Sequence, residues 1–112
     1  SSAASDVYKR QAMEKQRLMW EQFCQKYSGR LSAEETRAGR EEALQMLEKK
    51  DTLPPIRLKI AKYISDGYTL ERNLPKALEY LEIARDADPE SQAAKKLEPW
   101  IDNMRKHINQ EK

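Results

Sequence analysis

Scarcity bounds this sequence before any motif does. Its 112 residues include one cysteine, Cys24, so no internal disulfide and no cysteine-cluster metal site can form within the chain. The one histidine, His107, excludes a multi-histidine site. Three glycines and five prolines are too few for a low-complexity chain. No apolar run approaches the roughly 18–20 residues that a membrane-spanning helix needs, so no membrane segment is expected. Mean hydropathy is −0.98, which is very polar. Neither sign of charge dominates: 21 Lys and Arg stand against 19 Asp and Glu, and the net +2 is too balanced to imply a nucleic-acid partner. β-Branched residues are scarce and no alternating run persists, which removes the signal for strands. There is no glycine-rich phosphate loop, no Ser/His/Asp constellation and no Glu-x-x-His pair. What remains is a highly charged, all-α chain, long enough for one domain or two to three repeat units.

Helical periodicity runs through most of it. Met13, Trp20, Phe23, Cys24 and Tyr27 share one face of a helix expected at about 12–28, and Ser28-Gly29 supplies its stop. Ser32 with Glu35 has the capping-box pattern, and a helix over about 33–50 follows, with Ala43, Leu44 and Leu47 inward. Gly39 weakens its middle and is expected to divide it. A third helix begins at Pro55, places Ile56, Ile60, Tyr63 and Ile64 on one face, and is expected to end at Asp66-Gly67. Residues 67–73 read as a loop. Asn73 is the natural cap of a helix over about 74–86, with Leu74, Ala77, Leu78, Leu81 and Ala84 inward. Ala94, Leu97, Ile101, Met104 and Ile108 form the stripe of a last helix over about 90–109. Trp100 thickens that stripe, and Pro99 is expected to kink or split the helix.

The chain carries an internal repeat. Glu42–Glu48 aligns with Lys76–Glu82 at an offset of 34 residues, with Ala, Leu, Leu and Glu identical. At the same offset Pro55 meets Pro89 and Lys62 meets Lys96. This period, with two helices per unit, resembles the tetratricopeptide repeat. Residues 56–89 also resemble the Sel-one-like repeat through Ile60-Ala61, Tyr63, Gly67, Lys76-Ala77 and Ala84, with Leu70 at the usual loop valine. Thr69 stands where that loop usually has a second glycine, and the 34-residue offset is short for the family. The resemblance covers residues 40–104. It implies an antiparallel helix-turn-helix solenoid, and an adaptor or scaffold role of a kind common in bacteria. It also implies packing roles for Ile60, Ala61, Gly67, Ala77, Leu78, Leu81, Ala84 and Pro89.

Residues 1–11, Ser-Ser-Ala-Ala-Ser-Asp-Val-Tyr-Lys-Arg-Gln, are identical to the in-frame translation of a transposase sequencing adapter. That resemblance implies a non-native tail on a single domain over 12–112, a fragment of a longer protein from shotgun or metagenomic reads. Setting the tail aside removes Lys9, Arg10 and Asp6 and leaves a net +1.

No residue presents itself for catalysis, cofactor binding or metal ligation. His107 reads as a solvated helix-end side chain. Cys24, on an apolar helix face with no nearby His, reads as a small hydrophobe. The lysines at 59, 62, 95, 96 and 106, with Arg105, are interleaved with acids and carry no nucleic-acid signal. The expected function is non-enzymatic binding of a protein or peptide on a concave face built by first helices. Candidate partner-binding residues are Lys59, Lys62 and Tyr63, with Tyr68 exposed on the loop. The alternative is a C-terminal accessory domain of a larger enzyme.

Overall fold

A computed structural model describes residues 2–110. Among them it contains five helices and no strand: α1 (Ser2–Lys26), α2 (Ala33–Glu48), α3 (Pro54–Leu70), α4 (Leu74–Ala87) and α5 (Gln92–Gln110). From α3 onward each helix packs on the one before it, and α1 lies against α3. No helix among the described residues is long and apolar enough to cross a membrane. The radius of gyration is 15.5 Å, against about 13 Å for a compact domain of this length, and the extents of 55 × 31 × 21 Å make the molecule elongated.

Local chemistry sets most boundaries. Gly29 takes a positive φ of 81° and turns the chain after α1. The Ser32 hydroxyl accepts the Glu35 amide at 3.1 Å, and Glu35 accepts the Ser32 amide at 3.1 Å, closing the capping box. The Asn73 side chain accepts the Lys76 amide at the start of α4. Ser91 does the same for Ala94 at the start of α5.

Four expectations are corrected. The first helix does not begin at residue 12 but runs back to Ser2; residues 3–11 are all exposed and none joins the core. Gly39 does not divide α2, which is continuous. Gly39 is buried where Tyr63 and Tyr27 press on the helix, so its missing side chain is a packing need rather than a break. The third helix does not stop at Gly67 but continues to Leu70. Gly67 therefore makes no reversal, and the turn falls on Arg72, whose φ is 62°. Pro99 does not split α5. It removes the donor for the Lys95 carbonyl, but both residues lie on the exposed side, where solvent can satisfy that oxygen.

The core joins Trp20 and Phe23 of α1, Ala43 and Leu47 of α2, the apolar faces of α3 and α4, and Ala94, Leu97 and Ile101 of α5. Residues at the 34-residue offset have matching burial. Ala43 and Ala77 are fully covered, Leu47 and Leu81 are buried, and Leu44 and Leu78 are half-buried. Ile60, Ala61 and Ala84 are also buried, whereas Pro89 is exposed in the turn before α5. The α3–α4 pair is the closest in the molecule. Ala61, Ser65, Ala77 and Ala84 leave no bulk between the axes, and the buried Ser65 hydroxyl donates to the Ala77 carbonyl at 2.6 Å.

Candidate functional site

The four residues singled out from sequence do not form one surface. Lys59 and Lys62 lie on the outer face of α3; Tyr63 and Tyr68 are turned into packing contacts. Tyr63 is covered by α1. Trp20 and Phe23 meet its ring edge-on, with centroids 5.9 and 5.0 Å away. Burial raises its phenol above the ordinary tyrosine value. Tyr68 is in α3, not in a loop. Its ring stacks on Tyr80 at 5.8 Å, and the Arg40 guanidinium sits 4.4 Å from its centre. Arg40 is anchored in turn by Glu71 at 2.7 Å. This layered contact joins α2, α3 and α4, and both tyrosines are half-buried in packing within the chain.

Lys62 has a neighbour that the helical spacing assigned to the core. Trp100 is 56% exposed, and the Lys62 ammonium lies 5.2 Å from its ring centre. Lys62 also pairs with Asp66 at 3.0 Å. At 3.6 residues per turn, Trp100 projects roughly 80° away from the centre of the Ala94–Ile108 stripe. That angle was the available signal. Lys59 stands near Cys24, whose thiol is exposed; partial desolvation pushes the thiol up, against the opposing charge of Lys59. A raised thiol is a weaker nucleophile at neutral pH, not an activated one. Lys59, Lys62 and Trp100 thus border a surface made by α3 and α5, with the end of α1 beside it.

A second feature lies between α1 and α2. The α1–α2 hairpin is splayed and leaves two clefts of about 450 and 430 Å³. Met19, Met46 and Lys49 line both, so they form one trough. Gln16 spans one end: its amide donates to the Asp51 carbonyl at 2.9 Å and accepts the Leu53 amide at 2.8 Å. At the other end the Tyr27 hydroxyl donates to Glu42 at 2.6 Å and Lys26 pairs with Glu42 at 3.2 Å. The hydrogen bond from Tyr27, and then that from Lys26, holds the Glu42 carboxyl below the usual range. Nothing in the sequence spacing announced this trough or its Gln16 bridge, since both depend on a long-range pairing.

His107 is exposed in the last turn of α5. Among the described residues no three His, Cys, Asp or Glu side chains converge to hold a metal ion. No protein-family model, curated protein or solved structure matches the chain significantly.

Proposed function

We propose that the chain is a non-enzymatic, tetratricopeptide-like module that binds a protein or peptide on the surface formed by α3 and α5. The observation that carries this reading is Trp100, a large aromatic left 56% exposed on the last helix beside the cations of α3. An exposed tryptophan is a costly surface residue and a frequent interface anchor. The half-screened Lys62 presents its charge over the ring, and Lys59 is exposed one turn earlier on the same helix. The elongated form, the sequential packing of α2 through α5 and the matched burial at the 34-residue offset support a repeat architecture of the Sel-one-like or tetratricopeptide kind. Units of that kind stack, and their first-helix faces make extended binding surfaces, which is the support for reading this chain as an adaptor or scaffold.

The test is selection of peptides on the full chain from a displayed random library, followed by titration of the recovered peptides. Trp100→Ala changes an exposed side chain and leaves the core intact. It is expected to weaken peptides seated on this surface by at least about tenfold, the effect of losing an interface anchor. Lys59→Glu with Lys62→Glu should weaken the same peptides. Recovery of peptides that are all indifferent to these three substitutions refutes the use of this surface.

A further inference from the structure

We infer that the α1–α2 trough is a second docking site, independent of the α3–α5 surface, and that its occupant is an acidic peptide with apolar anchors. Its walls are apolar and adaptable. Met19 and Met46 face it along its whole length, with Phe23 on one side and Ile56 at the other end. Met19 remains 40% exposed, so its thioether is open to an incoming side chain. Methionine fills irregular contacts without a fixed shape, and it recurs at binding surfaces for that reason.

The trough is held open rather than left slack. Gln16 fixes α1 to the backbone of residues 51–53 with two hydrogen bonds, and the Tyr27–Glu42–Lys26 group fixes the far end. An occupant therefore does not have to separate the helices first, which lowers the cost of binding.

The rim selects the charge of the occupant. Lys15 and Lys49 border the larger cleft, and neither is ion-paired among the described residues. Asp51 is the one carboxylate lining that cleft. Glu42 lines the smaller cleft but is already engaged by Tyr27 and Lys26. The uncompensated charge at the rim is thus positive, and complementary charge sets specificity and encounter rate. Tyr8 and Gln11 also line the larger cleft, but the methionines, lysines and Gln16 that carry the argument lie beyond residue 11, and the smaller cleft has no wall from the first eleven residues.

The experiment titrates the selected peptides, by fluorescence anisotropy, against the full chain and its variants. Peptides that dock in the trough should be rich in Asp and Glu around apolar anchors, and their affinity should fall with salt. Met19→Glu, and separately Lys15→Glu with Lys49→Glu, should weaken them by about tenfold or more, while Trp100→Ala leaves them unchanged. All three altered positions are exposed, and circular dichroism of each variant verifies that the helices persist. Peptides lacking an acidic bias, or indifferent to the trough variants, overturn the inference. Peptides lost only with Trp100→Ala also overturn it and leave the α3–α5 reading standing. Peptides lost only with the trough variants support it while refuting that other surface. Recovery of no peptide at all overturns both.

Discussion

Gly39→Ala should destabilise the protein, although the same change in an ordinary helix stabilises it. Alanine is favoured over glycine by about 1 kcal/mol inside a helix. At residue 39, however, an added Cβ would stand 2.6 Å from the Tyr63 hydroxyl oxygen. It would also stand 3.1 and 3.2 Å from two ring carbons of Tyr27. The Tyr63 ring cannot swing aside freely, because Trp20 and Phe23 hold it edge-on. Overpacking of this kind costs about 1–3 kcal/mol, so the net loss is about 0–2 kcal/mol. At about 4 °C per kcal/mol for a domain of this size, Tm should fall by up to about 8 °C. The decisive assay is a double-mutant cycle with Tyr63→Phe, read by thermal and urea unfolding. Removing the oxygen removes the closest contact and leaves the ring in place. Gly39→Ala should therefore become neutral or stabilising in the Tyr63→Phe background, with a coupling of about 1 kcal/mol or more. If Gly39→Ala raises Tm equally in both backgrounds, α2 is not pressed against Tyr63 and the packing described for these helices is wrong.

Three further outcomes follow from the same contacts. Gln16→Leu removes both bonds to the 51–53 backbone and should cost about 1–3 kcal/mol. In a Trp100→Phe background the emission of Trp20, which α1 buries against Tyr63 of α3, should shift to the red at lower denaturant; unchanged emission would mean that α1 is held by other contacts. Ala77→Leu adds bulk at a fully covered position in the α3–α4 contact and should destabilise by about 1–3 kcal/mol, which an unchanged or higher melting midpoint would contradict. Glu42 has a carboxyl lowered in the folded state by Tyr27 and then Lys26, so its contribution is present above the ordinary carboxylate range and is lost as pH falls through the folded value. Glu42→Gln should reduce stability at neutral pH and flatten the acid limb of the stability curve; an acid limb as steep as that of the wild type would refute the assignment.

Legibility of the fold tracked how local each cause was. The capping box at Ser32 and Glu35, the Asn73 cap and the Gly29 turn are decided within four residues, and the sequence displays them. The core stripes of α3, α4 and α5 are set by periodicity and were legible too. The misreadings share a different origin. Gly67 resembles a stop, yet α3 continues past it because Tyr68 is held by Tyr80 and Arg40, residues distant in sequence. Gly39 and Pro99 resemble breaks, but one is required by a tyrosine from another helix and the other sits where solvent can replace the lost bond. The surroundings of Tyr63 were not legible, because its contacts with Trp20 and Phe23 depend on where α1 lies and no local spacing records that.

Side-chain size connects that packing to the surfaces proposed for binding. Helices approach as closely as the residues between them allow. At the α3–α4 contact those residues are Ala61, Ser65, Ala77 and Ala84, and the two helices close on each other. Between α1 and α2 the small residues Gly39 and Ala43 lie at the end where Tyr27 reaches across. Farther along, Met19, Phe23 and Met46 face the gap and keep the axes apart, and Gln16 bridges the remaining distance with a polar side chain. A small residue at 19 or 46 would let the helices approach and remove the trough. The bulky thioethers hold open space that the fold itself does not need. The same reasoning applies to Trp100, which burial does not require because Ile101 already fills the core position beside it. Both candidate surfaces thus arise where a large apolar side chain, Met19 in one and Trp100 in the other, stays exposed outside the core.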